Sequence, residues 1–291
     1  MLPAYIEEYF RPANLTEALE LASNYNDGDA IFLAGGQSAM QAIKTRILRP
    51  KCVIDLQDID ELRFQNIAKN YTELGALTRY VEIAQKPDFP PALLALKDAC
   101  AHVGDRQVRN RGTIGGSICW NYLASCVPTV FLALNGKANL QTSSITRQIK
   151  AEDFFLGPLE TVREEDELLT KITFPTPKRT ASAYQKWGLV KDALPVVGIA
   201  VSITINKKGK CEELKLGLAG LPAGGQLASQ TDAFIGWAGQ AELLEGVIGE
   251  IASGAEVHSD LSASGEYRQE LIKKIGKAVC VLAYQRAVAT L

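Results

Sequence analysis

Two adjacent-glycine segments constrain this chain more than any other feature of its sequence. The first, Leu33-Ala34-Gly35-Gly36-Gln37-Ser38, follows a short apolar run from Ala30 to Ala34 and precedes a helical pattern from Ala39 to Thr45. Paired glycines reach positive φ without strain and let a ligand approach the backbone closely. Amides in such a turn point together as an anion nest, and the helix N-terminus that follows adds positive potential. Ser38 adds a hydroxyl donor, so the segment suits a phosphate. The second segment is Arg111-Gly112-Thr113-Ile114-Gly115-Gly116-Ser117, which again sets small hydroxyl residues beside glycines. Two such loops, distant in sequence, could clamp a diphosphate from two sides. Either one alone is more often a structural turn. Neither is a GxGxxG fingerprint or a P-loop, because no Gly-Lys-Ser/Thr follows.

Around these loops the pattern predicts a mixed chain. Asn14 to Asn24 reads as a helix, with Asn14 and Glu17 as a capping box and Leu15, Ala18, Leu19 and Ala22 inward. Lys51 to Leu56 is a strand, which completes a β–loop–α–β unit too short for a Rossmann half. A strand is expected at Tyr71 to Leu77 and a helix from about Thr78. A second helix runs from Pro91 to Val103, and a third from Val127 to Leu134 with Pro128 in its first turn. Gly104 to Ser117 reads as a glycine- and arginine-rich loop, and Glu167 to Phe174 as a strand. The prolines of Pro175-Thr176-Pro177-Lys178-Arg179 mark a linker. Beyond it come strands near Ala183 to Trp187, Val196 to Ile205 and Glu213 to Leu221. Helices follow near Ser229 to Ala238, Gln240 to Ala252 and Arg268 to Leu291. Strands followed by helices indicate α+β.

Composition narrows the function classes. A chain of 291 residues, 47% hydrophobic, buries a sizeable core in about two domains. A net charge of −2 gives no field that would attract nucleic acid or anionic lipid. Met1 to Pro12 carries Glu7, Glu8 and Arg11 with no apolar core, so no signal peptide is expected. The longest apolar run, Ala193 to Ile205, is shorter than the roughly 20 residues of a membrane helix. The cysteines Cys52, Cys100, Cys119, Cys126, Cys211 and Cys280 are scattered, which points to buried free thiols in a reducing cytoplasm. Cys119 and Cys126 alone cannot complete a four-thiolate cluster site. His102 and His258 have no nucleophile motif nearby, which argues against a catalytic triad. Arg106, Arg109 and Arg111 either offset a ligand's charge, meet an acidic partner, or form a solvated basic loop. Tyr184 and Trp187 either flank an aromatic ligand or pack in the core.

At the glycine segments the chain resembles the FAD-binding medium subunits of molybdenum hydroxylases, the carbon monoxide dehydrogenase, nicotinate dehydrogenase and xanthine dehydrogenase type. The family's first loop reads roughly Ala-Gly-Gly-His/Thr-Ser/Asp, here Ala34 to Ser38. Its second reads roughly Gln-Ile/Val-Arg-Asn-x-Gly-Thr-Ile-Gly-Gly-Asn, here Gln107 to Ser117. Phe10-Arg11-Pro12, Arg49-Pro50, Val53 to Leu56, Leu74 to Thr78, Asp153 to Phe155 and Glu167 to Leu169 match further positions.

The resemblance implies an α+β fold of the vanillyl-alcohol-oxidase (PCMH) type. Its FAD-binding domain would span 1–175, as subdomains of about 1–56 and 57–175. An α+β C-terminal domain with a three-stranded sheet and helices would span 180–291. The implied role is electron transfer from an iron–sulfur small subunit with two 2Fe–2S clusters, through FAD, to NAD or another acceptor. Substrate would be oxidised on a separate large subunit carrying the molybdenum cofactor. Leu33, Ala34, Gly35, Gly36, Gln37, Ser38 and Ala39 would hold the FAD diphosphate. Val103, Thr113, Gly115, Gly116, Ser117 and Cys126 would complete the site, with Leu169 near the flavin and Lys186 near its ring. The chain departs from the family pattern at Gln37, at Ser117 in place of Asn, and at Cys126 in place of Asp. Alternatives are a flavin-free scaffold of the same fold, which the last two departures motivate, and a stand-alone FAD-dependent dehydrogenase.

Overall fold

The computed structural model describes residues 5–25 and 28–291, so the first four residues of the N-terminal segment lie outside it. The chain opens with a three-stranded parallel sheet made from β1 (Glu8–Phe10), β2 (Ala30–Leu33) and β3 (Cys52–Asp55), with β3 in the middle. Helices α1 (Leu15–Ser23) and α2 (Ala39–Lys44) connect them. Side chains alternate along β3, as a strand's period of two requires. Cys52 and Ile54 pack with Ala18, Leu19 and Ala22 of α1, while Val53 packs with Leu33 and Ile43. A strand buried on both faces reads as a continuous apolar run, which Cys52-Val53-Ile54 is. The α1 cap forms as its sequence predicts: Asn14 Oδ1 accepts the Glu17 amide at 2.9 Å. The Glu17 carboxylate, which a capping box would set on the Asn14 amide, takes the Ala13 amide instead, at 2.8 Å.

The next unit is a five-stranded antiparallel sheet in the order β4-β5-β10-β6-β7. Its strands are β4 (Gln65–Ile67), β5 (Tyr71–Gly75), β6 (Lys137–Gln141), β7 (Thr146–Lys150) and β10 (Leu168–Pro175). Helices α3 (Tyr80–Ala84), α4 (Leu94–His102), α5 (Arg106–Arg111), α6 (Ile114–Trp120), α7 (Cys126–Ala133) and α8 (Ala151–Phe154) lie between them, with a small ribbon of β8 (Phe155–Gly157) and β9 (Glu160–Thr161). The core centres on Phe131, which meets Phe154, Phe155 and Phe174 edge to face. The segment from Gly104 to Ser117, expected as a loop, instead holds α5 and the start of α6. Asp105 Oδ1 caps α5 through the Val108 amide at 2.8 Å, and Thr113 Oγ1 caps α6 through the Gly116 amide at 3.1 Å.

The third unit is an antiparallel sheet of β11 (Thr180–Trp187), β12 (Val197–Ile205), β13 (Cys211–Ala219) and β14 (Gln226–Leu227). It has four strands rather than three, because the two-residue β14 adds to the edge of β13. Helices α9 (Leu244–Gly254) and α10 (Gly265–Val288) cover one face. Helices α4 and α7 of the preceding unit cover the other: Tyr184 and Ala200 point into the phenylalanine core, whereas Ala183, Ile199 and Val201 point to α9 and α10. The helix expected at Ser229 to Ala238 is only a four-residue 3-10 turn, Thr231–Phe234. It ends near Gly236, whose φ of 85° breaks a helix. No helix among the described residues is long and apolar enough to cross a membrane.

Candidate functional site: a cleft between two glycine segments

The first glycine segment lies where β2 hands over to α2, at the carboxyl edge of the parallel sheet. Gly36 has a φ of 71°, a conformation that costs glycine nothing. Helix α2 makes its first bond from the Met40 amide to the Gly36 carbonyl, at 3.3 Å. Among the described residues no acceptor takes up the amides of Gly36, Gln37, Ser38 or Ala39. Those donors, with the exposed Ser38 hydroxyl, form an open nest for an anion. The Gln37 side chain folds back on the Gly35 carbonyl at 3.2 Å. Leu33 and Ala39 flank the turn: Leu33 is buried on the α2 face, and Ala39 packs beside it.

The two glycine segments meet. A Cβ on Gly35 would fall 2.2 Å from the Arg111 carbonyl oxygen and 2.9 Å from Gly112 Cα. Only glycine lets these backbones touch. A Cβ on Gly116 would lie 3.6 Å from Ala34 Cβ, so α6 begins against the same turn.

The amides of the second segment are already engaged. Ile114 donates to the Thr78 carbonyl at 3.0 Å, Gly115 to Ala76 at 2.9 Å, and Ser117 to Thr113 at 3.1 Å. The Gly116 amide is held by the Thr113 hydroxyl. The expectation of free amides at both glycine pairs therefore holds at the first pair only. Gly115 serves packing: a Cβ there would sit 2.6 Å from Ala76 Cβ. What the second segment presents to a ligand is surface without side chains at Gly116, together with the Thr113 and Ser117 hydroxyls.

The remaining candidate residues divide. Ser117 lies against the buried Tyr80 phenol, which in turn neighbours Cys126. Cys126, the first residue of α7, adjoins Tyr184 and Lys186. Burial pushes its thiol pKa up, opposed by Tyr184 and Lys186. Burial pushes the Lys186 ammonium down, partly offset by Cys126 and Asp192. Lys186 Nζ donates to the Ala193 carbonyl at 2.5 Å, which holds its head beside the β11–β12 loop. Val103, half-buried after α4, offers its carbonyl to Arg109 Nη1 at 3.2 Å. Leu169 is a core residue of β10, next to the bulge between Leu169 and Lys171. Tyr184 is buried in the phenylalanine core, and Trp187 stacks edge-on to Tyr267 of the C-terminal unit. Four residues not foreseen from sequence, Gln57, Arg63, Leu77 and Arg79, line the cleft with Ala34, Gly35, Arg111 and Thr113. Two of them carried a signal: Leu77 lies within Leu74-Gly75-Ala76-Leu77-Thr78, and Arg79 stands immediately after it.

Residues 5–177 match the family described as the FAD binding domain in molybdopterin dehydrogenase, more than half of the chain. The chain belongs to that family. Residues 182–280 match the CO dehydrogenase flavoprotein C-terminal domain. The medium chain of glyceraldehyde dehydrogenase from Sulfolobus acidocaldarius is 33% identical over 91% of this chain and 94% of its own length. The medium subunit of nicotine 6-hydroxylase from Paenarthrobacter nicotinovorans is 28% identical, over 98% of this chain and 99% of that one. In fold, the chain is similar to carbon monoxide dehydrogenase from Hydrogenophaga pseudoflava, with a TM-score of 0.91 and 27% identity, covering 98% and 99% of the two chains. As a member of this family it is the FAD-binding component of an oxidoreductase of the carbon monoxide dehydrogenase type.

Proposed function

We propose that this chain carries electrons through FAD between an iron–sulfur small subunit bearing two 2Fe–2S clusters and an acceptor such as NAD. A large subunit with the molybdenum cofactor would oxidise the substrate. FAD, when bound, exchanges electrons singly or in pairs, and so matches one-electron clusters to a two-electron acceptor. The chain's own residues bind and orient the cofactor. Leu33, Ala34, Gly35, Gly36, Gln37, Ser38 and Ala39 take the diphosphate, chiefly through the open amides of Gly36 to Ala39. Val103, Thr113, Gly115, Gly116 and Ser117 shape the facing wall. Cys126, Leu169 and Lys186 adjoin the flavin end, where Lys186 holds positive charge in a half-buried position. The FAD-binding part is 1–175, with subdomains of about 1–56 and 57–175, and the C-terminal domain is 180–291. Six free cysteines suit a cytoplasmic setting.

The observation that carries this reading is the approach of Gly35 to Arg111 and Gly112, which brings the two glycine segments to one cleft. The test is reconstitution of the purified chain with FAD, followed by flavin absorbance and fluorescence. One tightly bound FAD per chain is expected, and failure to retain any flavin would overturn the assignment. Co-purification from the native host should bring down an iron–sulfur chain and a molybdenum chain. If NAD is the acceptor, adding NADH to the complex without oxygen will bleach the flavin.

A further inference from the structure

Three arginines, Arg63, Arg79 and Arg111, line the cleft beside Gly35. They come from three different places: the turn before β4, the residue before α3, and the end of α5. Among the described residues, none of the three has a carboxylate within ion-pair distance. Arg63 donates through Nη2 to the Gln57 carbonyl at 3.3 Å, while its Nε is buried without any partner. Asp55, two residues before Gln57, is committed elsewhere. Its oxygens accept from the Tyr9 hydroxyl at 2.6 Å and from Gln57 Nε2 at 2.8 and 3.0 Å. A recess lined by three arginines without carboxylate partners, two of them half-buried and one with an orphaned buried donor, favours the entry of an anion. Guanidinium matches phosphate oxygens in forked geometry better than any other side chain does.

We propose that Arg63, Arg79 and Arg111 neutralise the FAD diphosphate from beside the diglycine turn. The proposal rests on the placement of FAD in this cleft. The open amides of Gly36 to Ala39 supply dipoles but no net charge, and the diphosphate brings two negative charges. The arginines supply that charge, and the engaged amides of the second segment cannot. Arg111 does so next to the point where its own carbonyl touches Gly35, so one residue both joins the segments and faces the ligand.

The test is FAD titration of the apo chain, read by quenching of flavin fluorescence, with Arg63→Gln, Arg79→Gln and Arg111→Gln. Each substitution should weaken FAD binding roughly tenfold, the loss expected for one charge-assisted contact. The dependence on salt should become shallower. Arg111 is exposed, so its variant should keep the wild-type circular dichroism and melting curve. Arg63→Lys, which keeps the charge, covers the case in which Arg63→Gln misfolds. Inorganic pyrophosphate should displace FAD from the wild type, and riboflavin, which lacks the diphosphate, should bind all variants alike. Wild-type FAD affinity in Arg79→Gln and Arg111→Gln would overturn the proposal. So would pyrophosphate that binds without displacing FAD, or a loss confined to capture of an acidic partner protein. A wild-type chain that binds no FAD at all would instead overturn the cleft's assignment, and this inference with it.

Discussion

Arg286 of α10 closes on Asp98 of α4 with both terminal nitrogens, Nη1 to Oδ2 at 2.6 Å and Nη2 to Oδ1 at 3.1 Å, across 188 residues of sequence. Nη1 also donates to the Ser182 carbonyl at 2.8 Å, and Oδ2 accepts the Tyr184 amide at 3.1 Å. One point thus ties α4, β11 and the last helix together, and it orients the strand that carries Lys186. The side chains are 24% and 20% exposed, so removing one leaves a partly buried charge alone. That costs about 2–3 kcal/mol, more than a solvated surface pair contributes. We expect Asp98→Ala and Arg286→Met each to lower the urea midpoint. The double variant should lose less than the sum, since the pair is lost once. Strict additivity would show that the two side chains act independently.

Gly35 and Gly249 offer a controlled comparison. A methyl at Gly35 meets main-chain atoms at 2.2 Å, which no rotamer change relieves, whereas nothing lies within 4 Å of a methyl at Gly249. Gly35→Ala should force the two glycine segments apart and reduce FAD affinity by about a hundredfold, or 2.7 kcal/mol. Gly249→Ala, at a half-buried position inside α9 with room for a methyl, should raise stability by about 0.5–1 kcal/mol and leave FAD affinity unchanged. Equal FAD affinity in the two variants would separate the Gly35 contact from the binding site.

Local signals in the sequence were legible and tertiary ones were not. The α1 cap at Asn14, the buried run at Cys52-Val53-Ile54 and the turn at Gly35-Gly36 each follow from neighbouring residues, and each is present. The hairpin of β6 and β7 escaped because Lys137-Ala138-Asn139-Leu140-Gln141 and Thr146-Arg147-Gln148-Ile149-Lys150 bury few side chains. β1 is three residues long and exists only through its parallel pairing with β3. The chemistry of Gly115-Gly116 was misjudged for a similar reason. Whether an amide is free depends on Ala76 and Thr78, which the chain brings there only when folded. Arg63 stands alone in sequence, Arg79 only adjoins the Leu74 to Thr78 motif, and their shared recess is a product of topology.

The thiols provide a test of burial that needs no cofactor. Five of the six cysteines are buried and Cys119 is half-buried. Burial pushes the Cys119 pKa up to about 11, with Arg163 opposing weakly, and raises Cys126 as well. The thiolate is the reactive form, so both should be sluggish near neutral pH. We expect Ellman's reagent to label at most one thiol in the native chain at pH 8, and all six in denaturant. Rapid native labelling of Cys126 would mean that the wall beside Lys186 opens readily.

The pH dependence of stability should carry the mark of Asp260. Arg268 is 2% exposed, and it reaches the Val196 and Gly220 carbonyls through Nη1, at 2.5 and 3.0 Å. Its Nη2 pairs with Asp260 Oδ2 at 2.8 Å, while the Ser262 and Ala263 amides bind Oδ1 at 2.8 and 3.0 Å. Burial alone would raise the Asp260 pKa, but the two amides and Arg268 outweigh it and hold the carboxyl at about 2. An unfolded aspartate titrates at about 3.9. The folded pKa is the lower one, so the carboxylate stabilises the fold fully above about pH 4, and that contribution fades as pH falls toward 2. Asp260 is 41% exposed, and solvent screening reduces the contribution to about 1 kcal/mol. Asp260→Asn keeps an oxygen for the two amides and loses the ion pair to Arg268, together with the carboxylate's contact to His258 Nε2 at 3.3 Å. Its melting temperature should fall roughly 2–4 °C below wild type at pH 7. The gap should hold at pH 5 and narrow steadily below pH 4. A gap of constant size down to pH 2.5 would mean that the pair's contribution does not depend on the charge of Asp260.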